Sequence, residues 1–586
     1  TQFHGSEGKE AATKKIDDDE KIIKENRDDR ISITWRGDCE MFAISFLGAN
    51  GRMFKVFNKE GVLQFTSEKT VGLESLIAWR PSGLWLAIPQ QLTQNNKYAI
   101  ALFEKNGLRH REILLPFQKE SNGSSEKVMG LEWSSDSDIL FVHTATVLNS
   151  SGSACSRLYL YCISNYHWYL KQMLEFSQCP ISTLQWDTTL GEGKTLHMTL
   201  KDGTLATYKW EFTVNHSWGQ NDADESNVAV IDGNKILLTN FRGTVMPPPM
   251  CGIEIPLTDP ALYVNQVGFL KCVNTDTGDS NQMFAVDTAD NLSLYQLNYW
   301  TVGSGIDGAV HRLQSVDIIA KYHLDDDNYS NLPLAKCHWQ WLDRDSFICT
   351  ESTMENIGSR ILLWRVVDEK LQIVDELNVQ GIIGYLSAAS AMQIVFQIIT
   401  ESIWRLTIDK GHKLRLLQDS LDSYHLPEIY DKIEATIIAD DNCTSHVFAL
   451  KAKQILYHNE HKVATGVTSF FITNKYLMYT TLVHLHFVML TSSSLKSEVI
   501  CERRLERGSK LVLVVPNDSK TVLQLPRGNL EVLHPRVLLL DIISTHLNKK
   551  QYRKAFDMLR KQRINLNLLV DHNPDVFLAD IDYLYS

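Results

Sequence analysis

The chain repeats one local pattern, in which a polar turn is followed by apolar residues at every second position. It reads as KDGTLATYKW at 201–210, TADNLSLYQL at 288–297, GSRILLWRV at 358–366, TESIWRLTI at 400–408 and PRGNLEVLH at 526–534. Such alternation puts one face of a strand in a core and leaves the other wet, and the DG, DN and GN pairs supply the turns. A second pattern sets a tryptophan a few residues ahead of an apolar strand. Trp35, Trp79, Trp133 and Trp186 do so at spacings of 44, 54 and 53 residues. Repeats of about 40–45 residues suit four-stranded propeller blades, and longer loops account for the excess. Unrelated β-sandwiches with the same strand spacing are the competing reading, and the recurrent tryptophans favour the propeller. Pro81-Ser82-Gly83 reads as a hairpin turn within one blade.

Two polar segments interrupt the strands. KKIDDDEKIIKENRDDR at 14–30 reads as a disordered loop, and QNDADESN at 220–227 as a break between two series of strands. Residues 1–215 have room for about four blades and 226–535 for about seven. The pattern changes after His534-Pro535, where the last strand must stop because Pro cannot donate to a ladder. Leu539, Ile543 and Leu547 recur every fourth residue. Tyr552, Ala555, Phe556 and Leu559 form a second helical stripe, with HLNKKQY as the connection. RINLNLLVDHNP continues as helix and is stopped by Asn573-Pro574. Paired short helices are the unit of an α-solenoid. The expected fold is therefore mainly β. Two WD40-type β-propellers, the first incomplete, occupy 1–219 and 220–535, and the start of an α-solenoid occupies 536–586. The absence of an initial Met and the short helical end are read as those of an internal fragment.

Composition changes little. The 586 residues are 44% hydrophobic and 22% charged, ordinary for a globular chain, and no apolar run is long enough to span a membrane. Ten cysteines without a CxxC pair read as reduced thiols. The N-x-S/T sequons, Asn122 and Asn442 among them, and the RGD tripeptide at 36–38 read as chance. The net charge of −12 argues against a general nucleic-acid coat. It is uneven, however: residues 501–570 carry fourteen Lys and Arg against six Asp and Glu.

That local excess is the one candidate site. Lys549, Lys550, Arg553, Lys554, Arg560, Lys561 and Arg563 surround the apolar stripe of the second helix. Such cations on one face can contact phosphate, or match an acidic protein surface, or simply be solvated; the last two readings lead. Other chemistry is absent. GEGKT at 191–195 resembles the end of a phosphate loop, but Thr188 replaces the first glycine and no helix follows. His484 and His486 share a strand face without a third ligand and read as a structural pair, whereas His458 and His461 read as a solvated turn. No catalytic residue, metal or cofactor is called for.

Longer stretches carry a resemblance. TQFHGSEGK, WRGD, FEKNGLRH, NYHWYLKQ, SNVAVIDGN, VMPPPMC, VNQVGFL, LQLPRGNLEVLHPRVL and LRKQRINLNLLVDHNP resemble, in order along the whole chain, the Elongator complex protein 1 family of IKAP-like scaffolds. Residues 14–30 and 298–330 diverge, where loops are expected. The resemblance implies two propellers and a long solenoid, in a non-catalytic scaffold supporting modification of tRNA wobble uridine (U34) to 5-methoxycarbonylmethyl- and 5-carbamoylmethyl-type uridines. It implies as partners a catalytic radical-SAM/acetyltransferase subunit and a second WD40 propeller subunit, with tRNA reached through the complex and no membrane. It also implies a homodimer formed through a distal solenoid region beyond Ser586. The implied location is the cytoplasm, with the nucleus as a second. Architecture alone fits a vesicle-coat or tethering scaffold equally well, and the quoted motifs separate the two.

Overall fold

The computed structural model describes residues 28–580, apart from 50, 93–96, 119, 122–123, 149–153, 190–192, 219–222, 271–280, 306–307, 325–331, 354–357, 400–401, 418–423, 426–431, 438–444, 452–453 and 491–498. Most of the expected loop at 14–30 and Gly191 of GEGKT lie outside the described residues. The chain forms two compact units, one comprising 1–161 and 175–210, the other 162–174 and 211–586.

Among the described residues each sheet is a small antiparallel meander whose strands follow chain order, except that Tyr424–His425 pairs back onto Ser402–Ile408. Sheets in the first unit span 32–66, 78–118, 120–176 and 181–209; the tip of the third sheet's last hairpin, 162–174, belongs to the second unit. The recurrent tryptophans each close a strand early in a sheet: Ser32–Trp35, Ala78–Trp79, Ser124–Trp133 (which the short Glu120–Ser121 precedes) and Ile181–Trp186. Trp79, Trp133 and Trp186 are buried, while Trp35 is exposed. Strands read differently by position. Gly51–Asn58 alternates, burying Arg52, Phe54 and Val56, whereas Lys97–Glu104 is buried on both faces from Tyr98 to Phe103. A central strand packed on both sides needs the continuous apolar run that YAIALF provides. Neighbouring sheets are pinned by polar contacts. The Arg80 guanidinium donates to the Ser137 carbonyl at 2.7 and 2.9 Å, and the Ser135 hydroxyl donates to the Asp187 carbonyl at 2.6 Å.

Seven sheets of the second unit span 215–256, 264–323, 336–380, 383–425, 432–465, 469–504 and 510–533. The last closes on the first. Val512, Leu513, Val515 and Val522 share a core with Val228 and Phe241, Arg242 donates to the Pro516 carbonyl at 3.0 Å, and Lys520 donates to the Arg242 carbonyl at 2.6 Å. Within the composition break at 220–227, residues 220–222 lie outside the described residues, and Asp224, Glu225, Ser226 and Asn227 are buried; Asp224 accepts from the Ser217 hydroxyl and the Ser226 N–H, and Asn227 bonds Tyr299 and Asn281. Its neighbour Asn215–His216 already pairs with Asn227–Asp232, so the sheet begins ahead of the break. One expectation changes: of the divergent segment 298–330, expected as loop, the described residues to His323 are strand, while 306–307 and 325–330 lie outside the described residues. The strand residues extend a long hairpin of Asn291–Gly305 and Gly308–His323, held by β-branched and aromatic residues.

Among the described residues four helices follow: α1 (Arg536–Asn548), α2 (Tyr552–Lys561), α3 (Leu568–Asp571) and α4 (Pro574–Ala579). Val537 and Leu538 of α1 pack on the core of the last two sheets, and Asp541 pairs with Lys475 at 2.9 Å. Of its other buried positions, Leu539, Ile543 and Leu547, the last two meet Tyr552, Ala555 and Leu559 of α2. Phe556, expected in that stripe, is 41% exposed. It stands to one side of the buried row, and Met558 on the opposite flank packs against the cluster instead. The connection is only Lys549–Gln551, turned by Lys550 in the left-handed region. Asn573-Pro574 is a start as well as a stop: the Asn573 side chain accepts from the Val576 N–H at 3.2 Å and Pro574 occupies the first helical position.

Candidate functional site

All seven candidate cations are exposed, but they do not form one helix face. Lys549 and Lys550 lie in the turn, and Arg563 follows α2. Lys550 is engaged, 3.0 Å from Asp580, whose carboxylate also accepts from the Tyr552 hydroxyl. Arg553, Lys554, Arg560 and Lys561 remain on α2. The seven-residue spacing stacks Arg553 under Arg560 and Lys554 under Lys561, giving two cationic rows opposite the buried stripe. Asp557 falls between the rows. Four cations and one carboxylate leave this face a net +3. Lys561 adds its charge to the neighbourhood of Lys520 and His534, where burial first and then nearby cations hold the Lys520 ammonium below its usual range.

The other sequence candidates resolve into structural roles. Lys194 of GEGKT is buried between Asp136 and Asp138, the latter at 2.8 Å, so its charge is answered within the fold and no phosphate is needed. His486 stacks on Tyr479 at 4.8 Å beside His484 at 5.9 Å, on the shared face expected. His461 is exposed, but His458 is buried, against the expectation of a solvated turn. It ends the strand Ile455–His458, stacks on Phe448 at 4.7 Å, and bonds His446 ring to ring at 2.9 Å.

One recess escaped the sequence reading. In the first unit a cavity of about 550 Å³ is walled by Leu131, Phe141, Ile181 and Leu184, with Glu132 and His143 on the same wall. They share a face because Glu132 pairs with Phe141 and Gly130 with His143 in the same strand pair. Desolvation pushes the Glu132 carboxyl up to about 7 and the His143 imidazole down to about 4. Glu132 lies at the end of an alternating strand like any surface carboxylate, so no sequence signal marks it. Among the described residues no three His, Cys, Asp or Glu side chains are grouped to hold a metal, and no helix is long and apolar enough to cross a membrane.

A small-sheet first unit, a closed seven-sheet second unit and a terminal run of short helices together match one set of family descriptions in chain order. These are "ELP1 first N-terminal beta-propeller" at residues 1–189, "ELP1 N-terminal second beta-propeller" at 230–512 and "ELP1 alpha-solenoid" at 536–586. The chain belongs to the Elongator complex protein 1 family. Its architecture is accordingly two β-propellers followed by α-solenoid helices. Elongator complex protein 1 of Drosophila melanogaster is 34% identical over 601 residues, covering 99% of this chain and 43% of the relative. The Oryctolagus cuniculus protein of that name is 34% identical over 630 residues, covering 99% and 45%. The Saccharomyces cerevisiae protein is 27% identical, covering 94% and 40%. The chain thus spans less than half the length of these relatives.

Proposed function

We propose that this chain is the propeller-bearing part of a scaffold subunit of the Elongator complex, non-catalytic itself, that supports modification of tRNA wobble uridine. The observation that carries this reading is the ordered similarity to Elongator complex protein 1 across 99% of the chain. The propellers offer rigid blade edges and rims for other subunits. In this reading these are the catalytic radical-SAM/acetyltransferase subunit and a second WD40 propeller subunit, while a more distal solenoid dimerises. The protein then works in the cytoplasm, with a nuclear pool as a second location, and meets tRNA through the assembly.

The test is nucleoside mass spectrometry of bulk tRNA from cells depleted of the full-length protein. The expected result is loss of 5-methoxycarbonylmethyl and 5-carbamoylmethyl uridines, restored by re-expression. Unchanged wobble uridines would overturn the reading and leave a coat or tethering scaffold in its place.

A further inference from the structure

The first strand of the third sheet of the second propeller, Lys336–Asp343, carries a cysteine and a histidine that the scaffold reading does not use. Cys337 pairs with Thr350 in the neighbouring strand, and the register then slips before Gln340. At this irregularity His338 adopts φ +55°, the left-handed region a histidine seldom enters. That turn folds the imidazole back beside the thiol. Cys337 Sγ lies 3.5 Å from His338 Nδ1 and 3.3 Å from Thr350 Oγ1, and Nδ1 lies 2.8 Å from the same hydroxyl. Tyr385, from the first strand of the next sheet, covers the imidazole with ring centroids 6.1 Å apart. Both Cys337 and His338 are half-buried, in contrast to Cys349 nearby, which is fully buried and accepts from Trp364 Nε1.

We propose that Cys337 is a reactive thiol activated by the His338 imidazole, and that the class of molecule it takes is a hydroperoxide. The charged and titratable groups facing it are consistent with this. Lys336 and Glu351, on the two paired strands, form an ion pair at 3.6 Å, and Tyr385 faces the imidazole from the next sheet. Burial works to raise the thiol, but the imidazole's charge and the hydrogen bonds of His338 and Thr350 outweigh it and bring the thiol below its ordinary value. Burial likewise disfavours the imidazolium, and the thiolate partner reverses that. In the step itself the thiolate attacks the terminal peroxide oxygen. The S–O bond forms as the O–O bond breaks, sulfur is oxidised to sulfenic acid, and the departing alkoxide or hydroxide takes the proton from His338 and leaves as alcohol or water.

The test is alkylation of the whole chain by trace iodoacetamide, with peptide mass spectrometry across pH 5.5–9, followed by dimedone trapping after hydrogen peroxide. Expected is Cys337 labelling that persists at pH 6, and preferential dimedone adduct at Cys337. His338→Asn keeps a residue tolerant of the left-handed backbone, and it should cut labelling at pH 6 about tenfold. Because the pH profile and the dimedone adduct are read first on the unaltered chain, the result does not hinge on that variant folding. Labelling of Cys337 as slow as that of buried Cys349, or dimedone adducts spread over the exposed thiols without preference for Cys337, would overturn the proposal.

Discussion

The backbone N–H of Asn165 donates to the carbonyl of Arg527 at 3.0 Å. Asn165 and Tyr166 both have positive φ, as a two-residue hairpin turn requires, and this tip is seated on the turn of the second propeller's last sheet. The Asn165 side chain also donates to the Pro248 carbonyl at 2.8 Å, and Gln524 reaches Ser164 at 3.2 Å. The glycine of PRGN has two reasons to be glycine. Its φ is +98°, and a Cβ there would stand 2.5 Å from the Asn165 nitrogen.

Gly528→Ala should therefore destabilise the second propeller by about 2–4 kcal/mol, the sum of backbone strain and a contact with backbone that cannot yield. Gly466→Ala is the matched control. Its φ is +68° with nothing within 4 Å of the added Cβ, so it should cost only about 1 kcal/mol. Urea midpoints give the two costs. Hydrogen exchange over 162–174 should quicken only in the Gly528 variant.

A buried ionic network predicts a different asymmetry. Glu351, 2% exposed, accepts from Arg360 Nε at 3.0 Å and faces Lys336 at 3.6 Å, while Arg360 also reaches Glu376 at 3.1 Å. Glu351→Ala leaves the buried Lys336 and the half-buried Arg360 without this carboxylate and should cost about 3–5 kcal/mol. Replacing Lys336, Glu351 and Arg360 together by methionine should cost less than the single change, because no uncompensated charge remains inside. Denaturant titration of the two variants decides the order.

Acid should weaken the second propeller through His458. Burial first, then the charges of His446 and His461, push its imidazole down to about 4. The unfolded chain binds this proton near the ordinary value of about 6.5, so in the interval it holds more protons than the folded chain. The contribution is intact above about pH 6.5 and is lost as pH falls towards 4, amounting to about 3 kcal/mol when complete. His458→Phe, which keeps a ring against Phe448, should flatten the dependence of stability on pH across that window. An unchanged slope would place the acid sensitivity elsewhere, His143 in the first unit being the next group to replace.

Which of these features the sequence disclosed follows from their range. Trp79, Trp133 and Trp186 mark sheets because each ends an early strand with a buried ring, and that recurrence survives in a linear reading. Leu539, Ile543 and Leu547 were legible for the same reason: helix burial is periodic. Phe556 was misplaced because period alone does not fix which flank of a stripe meets α1. The burial of Asp224–Asn227 is not legible in the sequence, since polar composition is silent about Tyr299, seventy-two residues away, bonding Asn227. Cys337 and His338 were adjacent in the sequence throughout, but only the register slip and the left-handed turn bring their reactive atoms together. Of the candidate cations, exposure was foreseeable; the turn that removes Lys549 and Lys550 from the helix, and Asp580's hold on Lys550, were not.

The cationic face of α2 gives the last prediction. A surface that tracks a phosphate backbone gains affinity from each cation it neutralises, and the salt dependence of binding counts them, with a slope of about −0.9 per phosphate on duplex and about −0.7 on single strands. Here Asp557 stands between the Arg553–Arg560 and Lys554–Lys561 rows and repels phosphate where the two rows would converge on it. A face so divided suits an acidic protein surface, which can place its carboxylates on either side, better than it suits a continuous polyanion. Neutralising Lys554 and Lys561 together should accordingly leave the slope of log affinity for tRNA against log salt within about half a unit of the parent. A slope shallower by about 1.4–1.8 units would show both lysines on phosphate and turn this face into an RNA contact. Asp557→Asn then distinguishes the causes: on the protein-partner reading it weakens no RNA contact, whereas on an RNA face it should strengthen tRNA binding by removing the one repelling charge.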